Sequence, residues 1–434
     1  METKLKNSSS ITTKQIFLIG FLGNVAEWYD FSIYAYFATQ IGQDFFNVQS
    51  EVVALIQAFF VFSMSYLARP FGSIFFGYLG DKLGRKVVLN NSLLIMAIPT
   101  LLIGLLPTYN TLGVIAPCLL IALRLIQGFA AGGELPISAC YLYEISPEHK
   151  KNFFCSFIFA SSMFGVLLAS FVAMLTTTIF PQDITQNWGW RIPFFLGFVM
   201  FFFIIWVRKN VVETLNCTSN KKQQSRLKNL LNHKMAILHI ICLYAFIQTT
   251  FYLIFVWMPS YLQVFLNVDK KIGLVSNSIG LTVLIIFTLF FGFIADYIKP
   301  RRLIIFSLLS IAILAYPLFY LLISRDPFSI IMAQMAFAIC LGAIDGVMIP
   351  IMGRIFMSNV RCLGIGLSST LASAIFGGLA PTVCSYLIKQ TNYMMWPATL
   401  LVLVGVVALP SAFKIAQTPN QNHKQLYDND LVGV

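Results

Sequence analysis

Long apolar runs separated by short polar stretches make up almost the whole chain between residues 14 and 415. A helix of about 20 apolar residues crosses a bilayer. Runs of that length or more lie near 14–41, 51–79, 87–106, 113–145, 153–180 and 188–208. After a polar stretch at 209–234 they resume near 235–266, 271–296, 303–323, 328–357, 361–389 and 391–415. The pattern predicts an all-α membrane protein with twelve transmembrane helices. Several runs exceed the minimum, so tilted or extended helices are expected. The first run is too long for a signal peptide and lacks a small-residue cleavage site, which makes it a retained helix.

Composition agrees with this pattern. Of the 434 residues 58% are hydrophobic and 11% charged, where soluble domains carry about 25% charged residues. So few charges cannot cover a water-facing surface, so most of the outer surface faces lipid. With the N-terminus inside, twenty-two Lys and Arg fall on inner segments. Only Lys270, Lys271, Arg325 and Lys389 fall on outer ones. That imbalance follows the positive-inside rule and puts both termini in the cytoplasm. The net charge of +12 is therefore read as topology and contact with anionic lipid, and nucleic-acid binding has no support. The eight cysteines are scattered without CxxC spacing and the four histidines do not cluster. Neither a metal site nor a cofactor is expected.

The chain also repeats. Gly77-Tyr-Leu-Gly-Asp81-Lys-Leu-Gly84-Arg85-Lys86 follows the second run and Gly292-Phe-Ile-Ala-Asp296 follows the eighth, about half the chain later. Duplication into two pseudo-symmetric six-helix bundles is the plain reading. The expected parts are a bundle at 1–208, a cytoplasmic linker at 209–234, a bundle at 235–416 and a cytoplasmic tail at 417–434. Such repeats hold a binding site between them near the midplane.

Ionisable groups inside a bilayer cost about 2.5–3.5 kcal/mol on insertion scales, which makes them functional candidates. Glu27, Asp30, Arg69, Arg124, Glu134 and Asp345 are in that position. Asn24, Glu27, Asp30 and Tyr34 recur every three or four residues and share one helix face. Two carboxylates one turn apart repel, and burial penalises their charged forms. Glu27, Asp30 and Glu134 are therefore candidates for loading and releasing a proton; a structural ion pair with Arg69 or Arg124 is the alternative. The planar guanidinium of Arg69 or Arg124 suits a carboxylate bidentately. With Asn24, Tyr34, Gln127, Tyr252 and Asp345, these two are the candidate substrate contacts. Gly128, Gly132 and Gly133 read as close helix packing.

Four motifs carry a family resemblance. They are Gly23-Asn24-Val-Ala-Glu27-Trp28-Tyr29-Asp30-Phe31, Arg69-Pro70-Phe-Gly72 leading into Gly77–Lys86, Gln127-Gly128-Phe-Ala-Ala-Gly132-Gly133-Glu134, and Trp188-Gly189-Trp190-Arg191-Ile192-Pro193-Phe194. Together the chain resembles the major facilitator superfamily and, within it, the metabolite:proton symporter family. The resemblance implies the major facilitator fold and a gating latch at Gly77, Asp81, Arg85 and Lys86, echoed by Asp296. It also implies proton-coupled symport of a small carboxylate-bearing metabolite, either a zwitterion or an organic acid, by a protein that is not an enzyme. A monomer in a bacterial inner membrane is expected. The alternative is a proton-coupled exporter of drugs or hydrophobic cations, favoured by the aromatic and acidic lining and opposed by the buried arginines. The second copy of the latch has Lys299-Pro300 in place of a Gly-Arg pair, and the tail shows no coiled-coil heptads.

Overall fold

The computed structural model describes residues 13–83, 85–181, 188–209, 234–356 and 360–415. Nearly all of the expected linker, the expected tail and the side chains of Asp81, Arg85 and Lys86 lie outside what is described. The first half consists of α1 (Thr13–Tyr36), α2 (Ala38–Phe46), α3 (Glu51–Leu83), α4 (Arg85–Leu105), α5 (Tyr109–Leu112), α6 (Ile115–Ala131), α7 (Glu134–Ile145), α8 (Lys151–Ile179) and α9 (Ile192–Lys209). The second consists of α10 (Lys234–Phe251), α11 (Met258–Val264), α12 (Lys270–Ile294), α13 (Pro300–Ile323), α14 (Pro327–Ile355), α15 (Arg361–Ala372), α16 (Ala380–Thr391) and α17 (Trp396–Ile415). No strand occurs among the described residues.

Ten helical stretches among the described residues are long and apolar enough to cross a membrane. The other two predicted spans correspond to α1 with α2 and to α4. Phe71, Val199, Ile313 and Tyr320 turn most of their surface outward. This belt faces lipid, while the helices satisfy their own backbone polar groups. Helix ends follow local chemistry: the carboxylates of Asp269 and Asp326 accept from the amides of Lys271 and Ser329, each at 2.8 Å, and so start α12 and α14.

Four of the predicted helices are not continuous. The first breaks at Phe37, where φ is −110° and ψ is 17°. The fourth breaks at Gly132-Gly133 between α6 and α7. The seventh and eleventh each carry one π turn, at Tyr252–Val256 and Ser373–Gly378. Periodicity in an apolar run cannot reveal such breaks, because every face of the run is apolar. π turns inside α-helices occur mostly at functional sites, and both of these border the centre of the bundle.

Glycines bring α3 and α6 into backbone contact. A Cβ on Gly72 would lie 1.8 Å from the Phe129 carbonyl oxygen, one on Gly128 1.8 Å from that of Ser65, and one on Gly132 2.2 Å from that of Arg69. Between the halves, α8 packs on α12 and α14, while α3 packs on α15, α16 and the π turn between them. At one end α7 meets α15. The two halves therefore touch along their length, with the polar core between and beside them.

Gly72→Ala is expected to lower stability by about 1–3 kcal/mol, the usual cost of overpacking. Gly77→Ala, with nothing within 4 Å of the added carbon, is expected to leave stability unchanged or raised. Thermal midpoints of the purified variants in one detergent check the contrast.

Candidate functional site

The buried ionisable side chains meet in two linked networks. In the first, Arg69 of α3 reaches Glu27 of α1, with Nη2 3.1 Å from Oε1. The contact is an ion pair without aligned hydrogen bonding, and both Glu27 oxygens lack a hydrogen-bond donor. The guanidinium lies in an aromatic box, its carbon 4.2 Å from the Tyr66 ring centre, 4.3 Å from Phe31 and 5.8 Å from Trp28. Cation–π attraction of this kind grows when the cation is desolvated. The box is closed from the second half. The Tyr252 hydroxyl donates to that of Tyr66 at 2.6 Å, and Trp28 stacks on Tyr252 and meets Phe251 edge-on.

In the second network Asp30 accepts from Thr100 Oγ1 on one oxygen and from Gln127 Nε2 on the other, both at 2.7 Å. Gln127 Oε1 in turn accepts from Arg124 Nη1 at 3.0 Å. Gln127 thus relays between an acid and a guanidinium that do not touch directly. Arg124 lies 3.7 Å from the centre of the Tyr34 ring, and the Tyr34 hydroxyl donates to the Ala58 carbonyl. Among the described residues Nε and Nη2 of both arginines have no aligned hydrogen-bond acceptor, although Nη2 of Arg69 is the atom paired with Glu27. Those two donors form the edge that grips a carboxylate in parallel.

The other predicted residues take distinct places. Asn24 donates to Ile158 carbonyl oxygen and to the hydroxyls of Ser161 and Ser162, tying α1 to α8. Glu134 is buried at the start of α7 and within electrostatic range of Glu27. Asp345 is buried on α14, and among the described residues neither of its oxygens has a hydrogen-bond partner. Gly77 lies in open space.

Each end of the bundle is bridged between halves. At the end rich in Lys and Arg, Asp296 accepts from the Asn152 and Phe153 amides at 2.9 and 3.2 Å and from the Asn152 side chain at 2.9 Å. This carboxylate caps the start of α8, where the helix dipole favours it. Gly292 lets it approach, since a Cβ there would lie 2.6 Å from Ser156 Oγ. Arg361 Nη1 pairs with Glu144 at 3.2 Å, and Tyr143 lies between Lys151 and Arg361 at 4.4 and 4.7 Å. At the opposite end the bridges are mostly neutral. Asn277 donates to the Tyr36 hydroxyl at 2.8 Å, which donates to the Phe255 carbonyl at 3.0 Å, and Lys270 Nζ reaches Gln40 Oε1 at 3.2 Å. Nearby, Trp190 donates to Asp44 at 2.9 Å, and Arg191 Nη1 lies 3.9 Å from the same carboxylate oxygen.

Several participants were not singled out from the sequence. Tyr66 sits one turn before Arg69, so its place on the same face was available from spacing. Thr100, a hydroxyl after Pro99 in an apolar run, was a weaker signal. Arg361, Glu144 and Asn152 act only through contacts between halves, and spacing along the chain does not reveal those.

Residues 17–381 match the family model described as Major Facilitator Superfamily. The chain is 31% identical over 415 residues to the proline/betaine transporter of Salmonella typhimurium, covering 92% of this chain and 83% of that protein. It is 30% identical over 415 residues to the glycine betaine/proline/ectoine/pipecolic acid transporter OusA of Dickeya dadantii, covering 92% and 82%. Among solved structures, the xylose transporter XylE from E. coli in a partially occluded inward-open conformation gives a TM-score of 0.75 at 17% identity, covering 94% of this chain and 98% of that one. A D-xylose-proton symporter structure gives 0.73 at 17% identity over 94% and 98%. At such identity the likeness is one of fold.

Hydrogen bonds to a charged group are worth about 1.5–3 kcal/mol. Asp296→Ala should therefore loosen the basic end. Cys155, buried one turn into α8, reports on it. In a protein keeping Cys155 as its only cysteine, maleimide labelling should speed up by about tenfold or more, each 1.4 kcal/mol being a factor of ten. An unchanged rate would mean that Asp296 does not hold this end shut.

Proposed function

The chain belongs to the major facilitator superfamily, and from that premise we propose that it is a proton-coupled symporter of a small carboxylate-bearing solute, a zwitterion like an amino acid or betaine before an organic acid. That it is a multi-pass membrane transporter of small solutes follows from the apolar helices and the transporter relatives. The finer reading is carried by one observation. Arg69, at the seam between the halves, holds Glu27 yet keeps its Nε and Nη2 without an aligned hydrogen-bond acceptor.

A solute carboxylate would take that edge, meeting Nε and competing with Glu27 at Nη2. One guanidinium cannot neutralise two buried carboxylates, so its arrival favours a proton on Glu27. The solute and the proton then enter together and leave together. Asp30, with both oxygens already accepting and Arg124 nearby, is the second acid of this half, and Glu134 lies close enough to Glu27 to raise the cost of two charges there. Closing and opening of the two ends would use the Asp296 and Arg361 contacts on one side and the Lys270 and Tyr36 contacts on the other. The Lys/Arg-rich end faces the cytoplasm, with both termini there, in a bacterial inner membrane, and the working unit is a monomer. Export of hydrophobic cations is the weaker reading, because Arg69 in the aromatic box repels a second cation.

Reconstituted protein should accumulate radiolabelled proline or glycine betaine when an inward proton gradient is imposed. Glu27→Gln should abolish gradient-driven accumulation while leaving solute exchange measurable. Arg69→Gln should weaken apparent affinity about tenfold to a hundredfold, the loss of one charged contact of about 1.5–3 kcal/mol. Uptake indifferent to the gradient would remove proton coupling from this reading.

A further inference from the structure

Asp345 differs from the acids of the first half. It is buried on α14 with 1% of its surface exposed, and neither oxygen has a hydrogen-bond partner. Glu27 has Arg69 and Asp30 has Gln127, Thr100 and Arg124; among the described residues no cation reaches Asp345. Its surroundings explain why. At Gly342 and Gly346, α14 lies against Phe287, Thr288 and Phe291 of α12, and the Thr288 hydroxyl is turned to the Met163 sulfur of α8 at 3.7 Å. The titratable group within electrostatic range is the Tyr244 hydroxyl of α10, beside Phe159 of α8. Other ionisable groups on packed elements include Glu134 and Tyr143 of α7, Lys151 and Cys155 of α8, Arg301 of α13 and Arg361 of α15. Apart from Glu134, which lies near Glu27, they belong to the basic end, where Gly353 meets Tyr143.

An ionised carboxylate held in such a place without a counter-charge costs several kcal/mol. A metal ion gathers several oxygen ligands, and no group of three acidic, His or Cys side chains forms among the described residues. A solute headgroup needs further polar groups to orient it, and among the described residues none is hydrogen-bonded to Asp345. A proton needs neither space nor further ligands.

We propose that Asp345 is a second proton-binding site, lodged in the second half, so that one transport cycle carries two protons, one on the first half's acids and one on Asp345. The carboxylate takes up H⁺ to become the neutral acid before the cavity closes and releases it when water reaches α14 from the other side. Tyr244 links the two sites, since it lies in range of Asp345 and also of Glu27, Arg69 and Tyr66. This assignment replaces the solute-contact role expected of Asp345 from the sequence. It rests on the symport reading above.

The test is the proton-to-solute ratio, read from the solute gradient that just balances an imposed proton gradient in proteoliposomes, with radiolabelled proline or glycine betaine as the probe. The ratio is expected to be two in the unaltered protein and to fall by half in Asp345→Asn, with solute exchange retained. A ratio of one in the unaltered protein, or an unchanged ratio in Asp345→Asn of normal thermal midpoint, overturns the second site and leaves symport standing. Uptake that ignores the gradient sinks symport itself, and the second site with it. Should Asp345→Asn fail to fold, the ratio in the unaltered protein decides alone.

Discussion

The Glu27–Arg69 pair sets the terms for the rest of the structure. Both partners are buried, and each ion taken from water into a low-dielectric interior loses several kcal/mol of solvation. Their attraction offsets this only while they stay together, so separating them without a replacement is strongly unfavourable. The aromatic box lowers the cost for the cation alone: the Tyr66 and Phe31 rings lie within 4.3 Å of the guanidinium. No comparable support reaches the carboxylate, whose oxygens accept no hydrogen bond. The pair is therefore asymmetric. Arg69 is held by aromatic faces as well as by the pair, and Glu27 by the pair alone.

The backbone around this pair is irregular because the pair requires room. Gly128 and Gly132 bring α6 against the carbonyls of Ser65 and Arg69, which fixes the height of Arg69 relative to α1. Gly377 and Gly378, in the π turn of the eleventh predicted span, lie against the Tyr252 and Tyr66 rings; a Cβ would come within 2.8 and 3.0 Å of them. The side chains that close the box thus depend on four glycines and two π turns. Such turns leave backbone groups incompletely paired, which membranes tolerate only inside protein. Here one is compensated locally, since the Thr249 hydroxyl donates to the Phe376 carbonyl at 3.1 Å.

Most of the fold was legible because a bilayer allows few solutions. Run length and Lys/Arg asymmetry gave the helix positions to within a few residues in most cases, and the motifs pointed to the superfamily. The acids and arginines could be named because each is conspicuous in hydrocarbon. Their pairing could not be read. Glu27 could have met Arg124 as easily as Arg69, and the choice depends on how far glycines let α3 and α6 approach. Breaks at Phe37 and Gly132-Gly133 were hidden for the same reason that the helices were obvious, namely that the runs are apolar on all faces. Asn24 shows the limit from the other side. A buried amide on the face of Glu27 looks like a ligand group, yet it donates to α8, because the polar partners there, Ser161 and Ser162, belong to a helix more than a hundred residues away.

The two ends are closed by different chemistry, and the difference bears on how a cycle could be driven. At the basic end a carboxylate caps a helix and an arginine pairs with a glutamate, contacts of about 1.5–3 kcal/mol each when charged. At the other end Asn277, Tyr36 and the Phe255 carbonyl form neutral bonds, ordinarily worth about 0.5–1.5 kcal/mol; Lys270 adds a single charged contact to a neutral amide. Closure of the basic end is thus the stronger of the two in local contacts. Neither set touches Glu27 or Arg69 directly. What joins them is rigid helix: α1 carries both Tyr36 and Glu27, and α8 carries both the end capped by Asp296 and the serines that hold Asn24. A change of charge at the centre that shifts α1 against α8 must therefore act on both ends at once.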